Sequence, residues 1–138
     1  RLDKNIYKPQ YQSNYNELEY AVATYINSKK TIEWWHRFGT QETEFSIPGW
    51  KPGNVYPDFL IKTNIKEKNK IYFIETKGNH LINEDTNYKK KLFECFNDLL
   101  KKNNVSGVLK SKNLDTEFSM VFEKDWKNDL VKIFTNKM

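Results

Sequence analysis

Three side chains in the middle of the chain have the types and spacing for chemistry: the carboxylates of Asp58 and Glu75 and the ammonium of Lys77. Two neighbouring carboxylates hold a divalent cation, and an ammonium beside them stabilises charge developing on a phosphate. The trio therefore suits metal-assisted hydrolysis of a phosphodiester. Asp58 opens the run Tyr56-Pro57-Asp58-Phe59-Leu60-Ile61, while Glu75 and Lys77 close the run Ile71-Tyr72-Phe73-Ile74-Glu75-Thr76-Lys77-Gly78. Both runs are rich in the aromatic and β-branched residues that favour strands.

Side chains alternate faces along a strand, so Glu75 and Lys77 project from the same face. If the runs pair antiparallel around the polar stretch 63–69, a register that sets Asp58 against Glu75 also sets Leu60 against Phe73 and Lys62 against Ile71. The three charges then converge. The same register places Phe59 against Ile74 and Ile61 against Tyr72 on the other face, which makes a core side. Opposed carboxylates repel, and one of them tends to keep a proton. A divalent cation removes that conflict; Mg²⁺ is the natural choice, with Mn²⁺ able to substitute. An ammonium about 4 Å from the developing phosphorane charge is worth on the order of 4 kcal/mol at an effective dielectric near 20, roughly a thousandfold in rate.

The elements that must position these groups follow from periodicity. A helix capped by Asn14 or Asn16 carries Glu17 and Glu19 and places Leu18, Val22, Ala23, Tyr25 and Ile26 at helical spacing. A strand over 31–38 follows, in which Trp34 and Trp35 face opposite ways, one into the core and one toward the surface. A short strand over 44–47 and the turn cluster Pro48-Gly49-Trp50-Lys51-Pro52-Gly53 lead into the hairpin. Beyond it, Tyr88, Leu92, Phe93, Phe96, Leu99 and Leu100 mark an amphipathic helix over 84–102 that covers one sheet face. Strands over 105–109 and 118–122 and a closing helix over 126–134 complete the order; Asp125-Trp126-Lys127 opens that helix. The pattern predicts an α/β domain, a mixed β-sheet flanked by helices in two or three layers.

The 138 residues make one domain. Its 23 Lys+Arg against 18 Asp+Glu give a net charge of +5, which favours a polyanionic partner. Aromatic residues make up 15% of the chain, enough material to bury, so a disordered chain is excluded. The single cysteine, Cys95, allows no intrachain disulfide and suits a reducing cytoplasm; it is expected to pack within its helix. His36 and His80 lack a third nitrogen or sulfur ligand nearby, so a zinc centre is not expected and an ordinary hydrogen-bonding role is. No apolar stretch approaches a membrane span, and no signal peptide opens the chain. Because it starts at Arg1, the chain reads as a piece of a longer polypeptide. There is no internal repeat, no Gly-rich phosphate loop and no Gly-Lys dipeptide, so a nucleotide triphosphate site is not expected.

The order of parts resembles the PD-(D/E)XK nuclease superfamily. Leu18-Glu19, Trp34-Trp35-His36-Arg37, Phe45-Ser46-Ile47, Tyr56-Pro57-Asp58-Phe59 and Ile74-Glu75-Thr76-Lys77-Gly78 resemble, more narrowly, the endonuclease domain at the carboxyl end of type III restriction enzymes and similar helicase-linked nucleases. The likeness covers roughly 15–100. It implies a restriction-endonuclease-like fold with its core over 14–122, part of a longer restriction or helicase-linked polypeptide. It also implies a Mg²⁺-dependent endonuclease acting on double-stranded DNA beside a helicase or translocase and a modification subunit.

Under the resemblance, Asp58 and Glu75 hold the metal, the Thr76 carbonyl is an extra ligand, and Lys77 orients or activates the attacking water. The family's helix glutamate falls on Glu19 or Glu17, with Glu19 preferred because it follows Leu18. Some branches place a glutamine on the helix after the lysine; here Lys89, Lys90 and Lys91 stand there, and with Arg37 they read as phosphate contacts. Two rival readings are a nuclease-like fold that only binds nucleic acid or a partner chain, and plain surface charge. Pro57-Asp58 is the only Pro-Asp and Glu75-x-Lys77 the only Glu-x-Lys, each on its own strand, which favours a joint site.

Overall fold

The computed structural model describes residues 3–5, 15–38, 47–79, 83–101 and 114–135. Helix α1 (Glu17–Asn27) begins at Asn16, whose Oδ1 accepts the Glu19 N–H at 2.7 Å while Glu19 Oε1 accepts the Asn16 N–H at 3.1 Å. This reciprocal pair satisfies two backbone donors that the first turn leaves open. Strand β1 (Ile32–Arg37) buries Trp35 completely and leaves Trp34 half-buried, as alternation requires. The Trp35 indole N–H is not stranded in the core, because it donates to Asn27 Oδ1 at 3.1 Å.

The strands β2 (Ile47–Pro48) and β3 (Asn54–Val55) pair around the turn cluster as a small separate sheet. Then come β4 (Phe59–Ile65), β5 (Lys68–Lys77), α2 (Glu84–Lys101), β6 (Leu114–Phe122), a 3₁₀ turn (Glu123–Asp125) and α3 (Trp126–Thr135). The main sheet runs β1-β4-β5-β6, with β4 antiparallel to both neighbours and β6 parallel to β5. A parallel neighbour needs a long crossover, and α2 lies within it.

Helices α1 and α3 cover one face, where Val22, Ala23, Ile26, Leu130 and Phe134 pack on Trp35, Phe59, Ile61, Tyr72 and Ile74. Helix α2 covers the other, with Tyr88, Leu92 and Phe93 against Phe73 and Phe118. The result is a three-layer α/β domain with a mixed sheet of four strands. Among the described residues, no helix is long and apolar enough to cross a membrane.

Several boundaries differ from those expected. The polar stretch 63–69 is strand on both sides of Lys66 and Glu67, whose φ angles of 51° and 68° put both in the left-handed region. Two such residues in succession give the backbone twist of a tight type I′ hairpin, so the strands run longer than composition suggests. Of the strand expected over 44–47, Ile47 falls in β2; positions 44–46, the strand expected over 105–109, Asn14 and His80 lie outside the described residues. Strand β6 starts four residues earlier than periodicity suggested. Cys95 sits on α2, but exposed rather than packed.

Strand β6 is one of the two edge strands of the sheet, and an open edge must be managed. Asn97 on α2 does so in part: its side chain accepts from the Phe118 N–H and donates to the Phe118 carbonyl, both at 2.8 Å. Losing both bonds strands two partly buried backbone groups. Asn97→Ala is therefore expected to destabilise the fold by about 1–3 kcal/mol, read from its urea midpoint.

Candidate active site

Asp58, Glu75, Lys77 and both helix glutamates, Glu17 and Glu19, line one cleft of about 480 Å³ at the mouth of the β4–β5 hairpin, with Asn16, Thr76 and Glu123 among its walls. Strand β5 contributes the floor, because it continues through Lys77 after β4 has left it. The observed register, Phe59 to Ile74, Leu60 to Phe73, Ile61 to Tyr72 and Lys62 to Ile71, is the one the side-chain pattern predicts.

At Asp58 that register slips. Its amide donates at 3.0 Å to the carbonyl of Ile74, the residue already paired with Phe59. Two consecutive residues thus address one, as at a bulge, and Asp58 does not stand squarely against Glu75. Its carboxylate turns onto Thr76 instead, with Oδ2 accepting both the Thr76 N–H and the Thr76 hydroxyl at 2.8 Å. In an extended strand a residue's amide and carbonyl point the same way, so the Thr76 carbonyl faces Asp58 too.

Glu75 is buried at 4% exposure. Its Oε2 accepts from Lys89 Nζ of α2 at 2.9 Å, while Oε1 is buried without a hydrogen-bond partner among the described residues. Burial and then the charge of Asp58 push its carboxyl up to about 7, against the opposing pull of Lys89 and Lys77. Burial raises Asp58 above the ordinary carboxylate range too, and the charge of Glu19 adds to this, although the Thr76 hydrogen bonds act the other way. For Lys89, desolvation alone would lower the ammonium, but Glu75 and Asp85 outweigh it and raise it. Asp85 Oδ2 lies 3.7 Å away, one helical turn back.

Both helix glutamates line the cleft, Glu17 exposed at its rim and Glu19, the capping-box member, buried. The Glu19 carboxylate is already engaged. Oε1 takes the Asn16 amide and also Arg37 Nη2 at 3.0 Å, while the Arg37 guanidinium lies over the Tyr15 ring at 4.7 Å. Arg37, read from sequence as a phosphate contact, thus holds the cleft's rear wall. Lys89 reaches the carboxylate pair, whereas Lys90 lines a different hollow of about 380 Å³ among α2, β6 and α3. Lys77 faces the cleft, and among the described residues no carboxylate lies within ion-pair distance of its ammonium. His36 is buried with its ring edge-on to Phe38 at 5.0 Å.

Among the described residues, no group of three His, Cys, Asp or Glu side chains gathers in metal-ligand geometry. Two carboxylates are nonetheless the protein donor set that Mg²⁺ usually takes, its remaining positions filled by water and substrate oxygens. The unpartnered buried Glu75 Oε1 and the raised proton affinity of both acids fit a cation there. Comparison of the chain with known protein families, characterised proteins and solved structures finds no match.

Proposed function

We propose that the chain is a Mg²⁺-dependent endonuclease domain of the PD-(D/E)XK kind, hydrolysing phosphodiester bonds of duplex DNA. One observation carries this reading: the half-buried Asp58 and the buried Glu75, both of raised proton affinity, share a cleft with an ammonium that no described carboxylate neutralises. Lys89 and Thr76 answer one oxygen of each acid, and the remaining carboxylate oxygens and the Lys77 ammonium are what a cation and an anion would complete. A restriction-endonuclease-like architecture and a place beside a translocase and a modification subunit follow from the same reading.

Each residue then has a task. Thr76 fixes Asp58 through two hydrogen bonds on one oxygen, which aims the other. Glu75 offers Oε1. The cation they would hold supplies charge neutralisation at the phosphate and acidifies water. Lys77 donates a hydrogen bond to the attacking water and stabilises negative charge on the phosphate oxygens. Glu19 and Arg37, tied to each other, hold α1 against the sheet so that the cleft keeps its width.

Plasmid nicking with Mg²⁺, Mn²⁺ and EDTA tests the reading; cleavage that persists in EDTA would sink it. Mn²⁺ titration of the intact chain tests the site directly, and Asp58→Ala should weaken binding about tenfold or more. A second reading, a nuclease-like fold that only binds, is favoured by Lys89, whose ammonium already answers the charge of Glu75. Failure of the wild-type protein to bind Mn²⁺ would select it.

A further inference from the structure

The turn between β2 and β3 presents Trp50 to solvent at 60% exposure. An exposed indole is ordinarily free to move, but this one is anchored. Its ring meets the buried Tyr88 edge-on, with centroids 5.0 Å apart and planes at 89°. The next residue is fastened to the same tyrosine twice: the Lys51 N–H donates to Tyr88 Oη at 3.2 Å, and the Lys51 ammonium lies 4.8 Å above the ring. On the other side, a Cβ at Gly49 would fall 2.0 Å from Tyr88 Oη, so only glycine lets the turn approach this closely. Three consecutive residues are fitted to one side chain, and the outcome is a fixed, open indole with a cation beside it.

We propose that Trp50 is a stacking platform for an unpaired base of a DNA strand, with Lys51 meeting the adjoining phosphate. The choice of DNA over another polyanion rests on the nuclease reading; the platform itself rests on the geometry of the turn. Every base has a π face, and a ring already fixed in place loses little freedom when a base stacks on it. Two observations disfavour a protein partner. The other exposed large apolar side chains among the described residues, Leu99 and Val131, lie far along α2 and on α3, so among those residues Trp50 is a single ring rather than part of an apolar patch. A cation flanks it directly, because the Lys51 ammonium lies over the same Tyr88 ring that Trp50 meets. Because Tyr88 holds the platform and Lys89 touches Glu75, one turn of α2 links platform and cleft.

The test is tryptophan fluorescence and affinity for a short single-stranded oligonucleotide in EDTA, where no cleavage intervenes. Binding should quench the signal of the intact chain. Trp50→Ala should weaken affinity about tenfold, and Trp50→Phe should recover most of it, because stacking needs a ring and not an indole. Lys51→Ala should reduce the salt dependence by about one phosphate contact. Unchanged affinity in Trp50→Ala, or equal quenching by inorganic polyphosphate, overturns the proposal. Nicking with Mg²⁺, assayed in parallel, separates the two claims: nicking with Trp50-independent binding sinks only the platform, and Trp50-dependent binding without nicking sinks only the nuclease.

Discussion

Replacing Lys77 with alanine should lower Mg²⁺-dependent nicking of plasmid DNA about a thousandfold while leaving DNA affinity within about twofold. The split between turnover and binding follows from the position of Lys77. Lys77 lines the cleft beside the carboxylates, and on the proposed nuclease reading its charge would act on the reacting phosphate, where negative charge grows on the way to the transition state. The rest of the substrate presents other phosphates to other cations, so losing one contact costs little affinity. The magnitude follows from Coulomb's law: about 4 kcal/mol at about 4 Å and an effective dielectric near 20. Lys77→Arg keeps the charge but spreads it over a planar fork, so it should recover only part of the rate. Single-turnover nicking rates and filter-binding isotherms measure the two quantities separately. A variant that nicks at the wild-type rate removes Lys77 from the chemistry.

The strands and their register were legible because a hairpin with one buried face leaves little choice. Shifting by one residue would turn Phe59, Ile61, Tyr72 and Ile74 out of the core that α1 and α3 cover. Two features of the site were not legible. The slip at Asp58 depends on where β4 parts from β5, a backbone event that alternation of side chains does not encode. Lys89 read as one of three equivalent lysines, yet Lys89, Leu92, Phe93, Phe96 and Leu100 share the i, i+3, i+4 spacing of the buried stripe, whereas Lys90 and Lys91 are exposed. A charged residue in register with a buried stripe requires a partner, and that spacing was the available signal. Trp50 passed as part of a turn cluster because composition says nothing about what a turn is fastened to. The clash that makes Gly49 obligatory is visible only beside Tyr88.

Lys89→Met should cost about 2 kcal/mol of stability at pH 8.5 and almost nothing at pH 5.5, both measured by urea denaturation in EDTA. The reason lies in the linkage of Glu75 to folding. Its carboxyl titrates near 7 in the folded chain against an ordinary 4.5, so the folded state binds the proton more tightly than the unfolded one. The associated stability is fully present below pH 4.5 and is lost as pH rises through 7, amounting to about 3 kcal/mol over that window at about 1.4 kcal/mol per unit. Asp58, whose carboxyl is also raised, adds to the fall in the same direction. At pH 5.5 Glu75 is neutral with or without Lys89, so methionine, which keeps the apolar stem, removes little. At pH 8.5 the wild-type carboxylate is ionised against the ammonium, and the variant must leave that charge unpaired or protonate it. Protonating a group that titrates near 7 costs about 2 kcal/mol at pH 8.5, which caps the loss below the usual penalty for a broken buried pair. Mn²⁺ should restore the variant at pH 8.5 and do far less at pH 5.5, because cation and proton compete for the same oxygens. An equal loss at both pH values would mean that Lys89 only fills space.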